Sequence, residues 1–196
     1  MCPKRSLAAH GYCSLPNALT ADRIGAVLAE ATELAPSARR ATGKYYCVNG
    51  DRSISSPRRL STVGAGPVLQ AIHRDARRLE LLERIAGRRL RPTRGSYIYY
   101  EPGDYVGLHN DASVCEVTLI TRVAGALQPL VVHRALVGVP PEELLAISRV
   151  HSAMPPGGTC IAVPHGGSFL ILLGSTIPHH RPAALDSGTI ATLCYG

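Results

Sequence analysis

The stretch Tyr99-Tyr100-Glu101-Pro102-Gly103-Asp104-Tyr105-Val106-Gly107-Leu108-His109-Asn110-Asp111 decides how the rest of the chain is read. A β-prone run precedes its last three residues, a Pro-Gly turn lies between, and another β-prone run follows. Residues two apart on an extended backbone share a face, so His109 and Asp111 present an imidazole and a carboxylate to one side. Such a pair can serve a single metal ion. A third ligand from a distant strand would complete a facial triad and leave three positions open for other ligands.

Downstream, the apolar run Gly167-Ser168-Phe169-Leu170-Ile171-Leu172-Leu173 is followed by His179-His180-Arg181-Pro182 and a last β-prone run. Short runs of this kind fall at residues 97–100, 116–123, 129–134, 160–163, 168–173 and 189–195, separated by Gly, Pro or Asp. One helix interrupts them, with Pro140-Pro141 at its start and Glu142 and Glu143 favouring its N-terminal dipole. The first half has a different texture. Thr20 is placed to cap a helix carrying Ile24, Val27, Leu28, Ala31 and Leu34 at helical spacing, closed by Pro36. A second helix is expected over residues 67–86, stopped by Gly87, and one short strand at residues 45–48. Helices first and short strands later predict an α+β chain of one domain, 1–196. In it residues 1–94 are mainly helical support and residues 95–196 form a jelly-roll core.

The chain has 196 residues and a formal charge of +7, enough length for a substantial core and enough charge to admit anionic partners. Its basic pairs, Arg39-Arg40, Arg58-Arg59 and Arg77-Arg78 among them, read as solvated faces. Six scattered Cys share no C-x-x-C spacing, which excludes a zinc ribbon or thioredoxin-type site and leads us to expect reduced, mostly buried thiols. No apolar run is long enough to cross a bilayer, and the expected setting is soluble and cytoplasmic. No G-x-S-x-G, H-E-x-x-H or P-loop is present, which argues against hydrolase and nucleotide-binding classes.

Tyr100-Glu101-Pro102-Gly103, His109-x-Asp111, and Gly167 with its apolar strand and His180-Arg181 together resemble the iron(II)/2-oxoglutarate-dependent dioxygenase superfamily. The texture is similar to its prolyl-4-hydroxylase-like branch, over roughly residues 95–196. The resemblance implies a double-stranded β-helix, one Fe(II), O2 as co-substrate, and oxidation of a substrate C–H bond coupled to decarboxylation of 2-oxoglutarate. In the family pattern a Gly lies eight residues after the distal histidine and an apolar residue five after it. Gly188 and Leu185 satisfy this from His180, so the implied ligands are His109, Asp111 and His180, with His179 as the alternative. The family's cation for the oxoacid lies ten residues after that histidine, where this chain has Ile190. An aliphatic side chain cannot pair with a carboxylate, which turns attention to Arg122 on the strand after the pair and to Arg181. Tyr99 and Tyr105 are candidate hydrogen-bond donors to the co-substrate. A carboxylate at Asp111, where halogenating relatives carry a small residue, implies hydroxylation, desaturation or oxidative cyclisation, and the Ala- and Arg-rich composition leads us to expect a small-molecule or amino-acid-like substrate. The competing readings are an oxoacid-independent oxygenase of the same fold, a nucleic-acid dealkylating oxygenase, and a non-catalytic jelly-roll binding protein. The dealkylating branch's paired arginines are missing from residues 189–196.

Overall fold

A computed structural model describes residues 3–42, 57–150, 155 and 157–196. The strand expected at residues 45–48 lies outside them. The helices are α1 (Pro3–His10), α2 (Ala21–Leu34), α3 (Pro67–His73), α4 (Ala76–Ala86) and α5 (Pro141–Val150). The strands are β1 (Tyr12–Leu15), β2 (Arg39–Ala41), β3 (Arg58–Gly64), β4 (Pro92–Tyr100), β5 (Tyr105–His109), β6 (Val117–Gly125), β7 (Leu130–Val132), β8 (Thr159–Ile161), β9 (Phe169–Leu172), β10 (His179–Arg181) and β11 (Gly188–Tyr195).

Thr20 caps α2 by accepting from the Arg23 amide, as its position predicts. The second expected helix is broken in two. Asp75 accepts from the Arg78 amide and starts α4 as a new N-cap, so the apolar stripe continues across a turn rather than along one axis. Gly87 ends α4 at φ 75°, a left-handed conformation that suits glycine.

The strands run in the order β1-β9-β6-β11-β4-β3-β5-β10-β7-β8, with β2 on β3. The order doubles back at β3. Its Ser61 to Gly64 segment pairs with β4, and its Arg58 and Arg59 pair with β5. Two antiparallel layers therefore face each other, one containing β9, β6, β11 and β4 and the other β5, β10, β7 and β8. This is the jelly-roll core expected from the strand spacing, with one correction. The first half is more than helical support, because β1 extends one layer and β3 joins the two.

Strand alternation divides the apolar residues into two cores. Outward side chains such as Leu119, Phe169, Leu193 and Tyr195 pack under Val27, Leu69, Ile72 and Leu82 of the helices. Inward ones, including Ile120, Ile190, Tyr100, Val106 and Leu130, line the space between the layers. Tyr97, Phe169 and Tyr195 are wholly buried. Full burial of a large apolar side chain is worth about 1.5–3 kcal/mol, so the helix-backed layer is the rigid wall of the molecule. Cys115 and Cys194 form a disulfide across 79 residues, contrary to the reduced thiols expected. It joins the loop before β6 to the end of β11, a contact that no local cysteine spacing announces. Cys13 is free and buried, and Cys160 is free and exposed.

Candidate metal centre

β5 and β10 are antiparallel neighbours, and their register sets His109 directly opposite His179. Directly opposed side chains on one face lie within contact distance, and these two rings have centroids 4.4 Å apart. Each imidazole is fixed in the same way. Nδ1 of His109 lies 2.8 Å from the Gly107 carbonyl, and Nδ1 of His179 lies 2.8 Å from the Ile177 carbonyl. A carbonyl only accepts, so each Nδ1 carries the proton and each Nε2 keeps a bare lone pair. Both Nε2 atoms stand 3.6 Å from Oδ1 of Asp111.

Asp111 follows the end of β5 and is drawn in by its own backbone. Its amide donates to the Gly174 carbonyl, at 2.9 Å. Thr118, buried on β6, donates its hydroxyl to Oδ2 at 2.7 Å. Gly174 comes so close to Oδ2 that a β-carbon there would sit 2.0 Å away. Oδ2 is thereby held, and Oδ1 is left to the two imidazoles. Burial works to raise the Asp111 pKa, but the two adjacent histidines, His179 foremost, hold it well below the ordinary carboxylate range. Burial, and then the neighbouring His179, lower the His109 pKa. An anionic carboxylate beside a neutral imidazole is the protonation state that metal ligation needs. One ligand atom from each of His109, Asp111 and His179 lies within 4.8 Å of the others. Two nitrogens and one oxygen converging from one side fit a facial 2-His-1-carboxylate site, the set that suits non-haem iron.

The structure brings His179, the alternative to His180, together with His109 and Asp111. His180 points to the other side of β10, where its Nδ1 meets Nε2 of His133 at 3.0 Å and the rings stack. Alternation explains the swap: on a three-residue strand His179 and Arg181 share the inner face and His180 cannot. The count to Gly188 misleads because it crosses the connection between β10 and β11, and the β10–β5 pairing itself shifts register between His179 and Arg181.

The three groups sit in a cavity of about 1450 Å³ between the layers. Arg181 lines it too, although only 2% of its surface is exposed. Its guanidinium lies 5.3 Å from the centroid of the Tyr100 ring and donates to the Gln128 carbonyl at 2.6 Å, while its buried Nε has no partner. Arg122 does not line this cavity. It borders a smaller one, about 260 Å³, with Leu19, Ile24 and Val27 near α2. Tyr99 also faces outward and donates to the Ala31 carbonyl of α2 at 2.6 Å. Tyr105 is exposed and away from the cavity lining. Sequence reasoning missed Tyr100, Thr118 and Gly174. Alternation alone could have chosen Tyr100 over Tyr99, whereas the approach of Gly174 has no local signal.

No family model matches the chain, and no curated protein matches it. Solved structures do. SnoN, a non-haem alpha-ketoglutarate-dependent epimerase from nogalamycin biosynthesis, aligns with a TM-score of 0.70 at 14% identity, over 98% of this chain and 80% of that one. A prolyl-4-hydroxylase of Pseudomonas putida aligns with a TM-score of 0.63 at 15% identity, over 98% of this chain and 96% of that one. HygX from Streptomyces hygroscopicus, solved with nickel, 2-oxoglutarate and hygromycin B bound, aligns with a TM-score of 0.67 at 12% identity, over 98% and 85%. The fold of this chain is the double-stranded β-helix of 2-oxoglutarate-dependent iron oxygenases.

Proposed function

We propose that this chain is a non-haem iron(II) oxygenase that uses 2-oxoglutarate to oxidise a small molecule. The observation that carries the reading is the convergence of two fixed Nε2 atoms and one fixed Oδ1 in a cavity that also holds a buried cation. His109, Asp111 and His179 would hold the iron. With dioxygen and the oxoacid, that iron would supply the oxidising power to break a substrate C–H bond. The chain does the rest. The Gly107 and Ile177 carbonyls keep both imidazoles in the ligating tautomer. Thr118 holds Oδ2 so that Asp111 offers one oxygen.

Arg181 takes the far carboxylate of the oxoacid. A buried guanidinium is expensive unless an anion meets it, and among the described residues no carboxylate pairs with Arg181. Its Tyr100 stack and its bond to Gln128 keep it extended along the cavity wall. Ile190, which lines the same cavity, stands on β11 ten residues after His180; counted from His179 the position is Thr189, and neither side chain carries a charge. The positive charge is supplied from β10 instead.

The test is an anaerobic titration with Fe(II), with and without 2-oxoglutarate, followed by the metal-to-ligand charge-transfer absorption. The band should appear only with both present. His109→Ala, Asp111→Ala or His179→Ala should abolish it, whereas His180→Ala should keep it. Arg181→Leu should leave iron binding intact and weaken 2-oxoglutarate. Losing a charge-assisted partner to a buried carboxylate costs on the order of 2–5 kcal/mol. That corresponds to about thirtyfold or more in affinity. Absence of the band in wild-type protein would remove the oxoacid from the reading. Absence of metal as well would leave a binding protein.

A further inference from the structure

The inner face of the helix-backed layer is a grid, and its chemistry changes along the strands. One cross-strand row is Arg94, Cys194 and Thr118. The next is Ser96, Thr192 and Ile120, and beyond it come Ile98 and Ile190. All of these residues line the 1450 Å³ cavity. The Ile98–Ile190 end leads to Tyr100 and Arg181. The Arg94 end belongs to Asp111, because Thr118 of the same row holds that carboxylate. Adjacent strands are about 4.8 Å apart, so Arg94 stands roughly 10 Å across the sheet from Thr118. A molecule lying beside Asp111 is within reach of its side chain.

Two further observations give this end a preference. The first is charge. Leaving aside Arg58, which has a partner of its own, the described cavity lining carries Arg88, Arg94 and Arg181 against Asp111 and Glu116. A divalent metal and a dianionic oxoacid cancel each other, so the excess of guanidinium survives when both are bound. Arg88 is paired with Glu116 at 2.8 Å. Arg94 is exposed and has no side-chain hydrogen bond or ion pair to a described residue. The second observation is the hydroxyl pair beside it. Ser96 Oγ and Thr192 Oγ1 are 2.9 Å apart, and Thr192 Oγ1 donates to the Ser96 carbonyl at 3.3 Å. A hydroxyl has one proton. With the Thr192 proton on the carbonyl, Ser96 donates within the pair. In either arrangement both hydroxyl oxygens keep lone pairs with which to accept from a ligand.

We infer that the Arg94 end of the cavity is the substrate subsite, and that the substrate is a small polar molecule with an anionic oxo group and an amino or hydroxyl group. Arg94 takes the anion, and the Ser96–Thr192 pair takes the N–H or O–H donor. The inference rests on the proposed oxygenase reading, because that reading assigns the Arg181 end to the oxoacid. It also accounts for the split in wall chemistry, with isoleucines around the aliphatic chain of the co-substrate and hydroxyls around the substrate.

The test is ligand-observed saturation-transfer NMR on protein loaded with Ni(II) and 2-oxoglutarate. The probes are a panel of hydroxy and amino monocarboxylic acids, each acid's primary amide, and a set of sugar phosphates. Acids or phosphates should bind, and the arm that binds more tightly identifies the oxo group. The matching amides should bind at least tenfold more weakly. Arg94→Gln should weaken the bound anions about tenfold or more, Arg94→Lys should recover part of that loss, and Ni(II) and 2-oxoglutarate affinities should not move. Ser96→Ala with Thr192→Val should weaken amino and hydroxy acids and spare the unsubstituted acid. The inference is overturned if amides bind as well as acids, if Arg94→Gln leaves anion affinity within twofold, or if no member of the panel binds. Loss of 2-oxoglutarate binding by wild-type protein is a separate failure. It refutes the oxygenase reading, and anion binding that still depends on Arg94 would then stand as a property of the wall alone.

Discussion

Gly174→Ala is a small change with a large expected consequence at the candidate metal centre. An added β-carbon would lie 2.0 Å from Asp111 Oδ2 and 2.7 Å from Thr118 Oγ1. Real β-carbons keep at least 3.0 Å from such atoms, so Oδ2 must retreat by about 1 Å or more. That stretches the 2.7 Å Thr118 bond past hydrogen-bond range and swings Oδ1 off the two Nε2 atoms. A hydrogen bond to a charged group contributes about 1.5–3 kcal/mol. Loss of an outer partner of a metal ligand typically weakens metal affinity about 10–100-fold. The two routes agree, and Gly174→Ala should bind Co(II), titrated as an air-stable stand-in through its visible absorption, about 10–100-fold more weakly. Circular dichroism should remain that of a folded chain, because the clash is confined to the Asp111 carboxylate and the Thr118 hydroxyl. Gly25→Ala is the paired control. Gly25 lies exposed in α2, where an added β-carbon meets nothing within 4 Å. It should leave Co(II) binding unchanged and raise stability by about 0.5–1 kcal/mol. Co(II) affinity within twofold of wild type in Gly174→Ala would refute the geometry of Asp111 argued above.

Three other perturbations test the frame that carries the site. Glu30 is buried and accepts from the Val68 and Leu69 amides and the Tyr97 hydroxyl, so Glu30→Gln should lower unfolding free energy by about 1.5–3 kcal/mol in urea titrations. Opening the Cys115–Cys194 bridge, by reductant or by Cys115→Ser with Cys194→Ser, should destabilise the chain by about 2–4 kcal/mol, and the double variant should no longer respond to reductant. His73 is buried against the Cys194 carbonyl, and burial lowers its pKa. The unfolded chain therefore takes up a proton first as pH falls, and stability present above about pH 6.5 should decline below it. A urea midpoint that is flat between pH 7.5 and 5.5, or falls as steeply in His73→Gln, would contradict this role.

The legible features were those set by local rules. The Thr20 cap, the Gly87 stop and the strand runs around β4, β6, β9 and β11 depend on residues close in sequence, and each lies where expected. The pairing of His109 with Asp111 was legible for the same reason, since a two-residue offset on an extended chain fixes a shared side. What failed was counting across long stretches. Asp75 resets the helix after α3, and the register shift in β10 together with the connection from β10 to β11 makes the interval from His180 to Gly188 a poor guide to which face a residue occupies. The disulfide, the β1 pairing to β9 and the close approach of Gly174 join residues far apart in sequence, and composition carries no trace of them.

The distal histidine and the missing cation are one problem. While His180 is taken as the ligand, alternation turns Arg181 away from the metal, and Ile190 then leaves the oxoacid without a partner. Once the register of β5 and β10 sets His179 opposite His109, the same alternation brings Arg181 into the cavity. In the proposed reading one strand then supplies both a metal ligand and a cation, two residues apart. The aliphatic Ile190 becomes part of the wall, packed with Ile120 and Leu130 in the inner core. Inserting a second cation through Ile190→Arg would therefore add charge next to Arg181 in a space already closed by apolar side chains, and should weaken 2-oxoglutarate binding. If Ile190→Arg instead rescued the affinity lost in Arg181→Leu, the anchor would have two interchangeable positions, and the wall would be less specialised than its packing indicates.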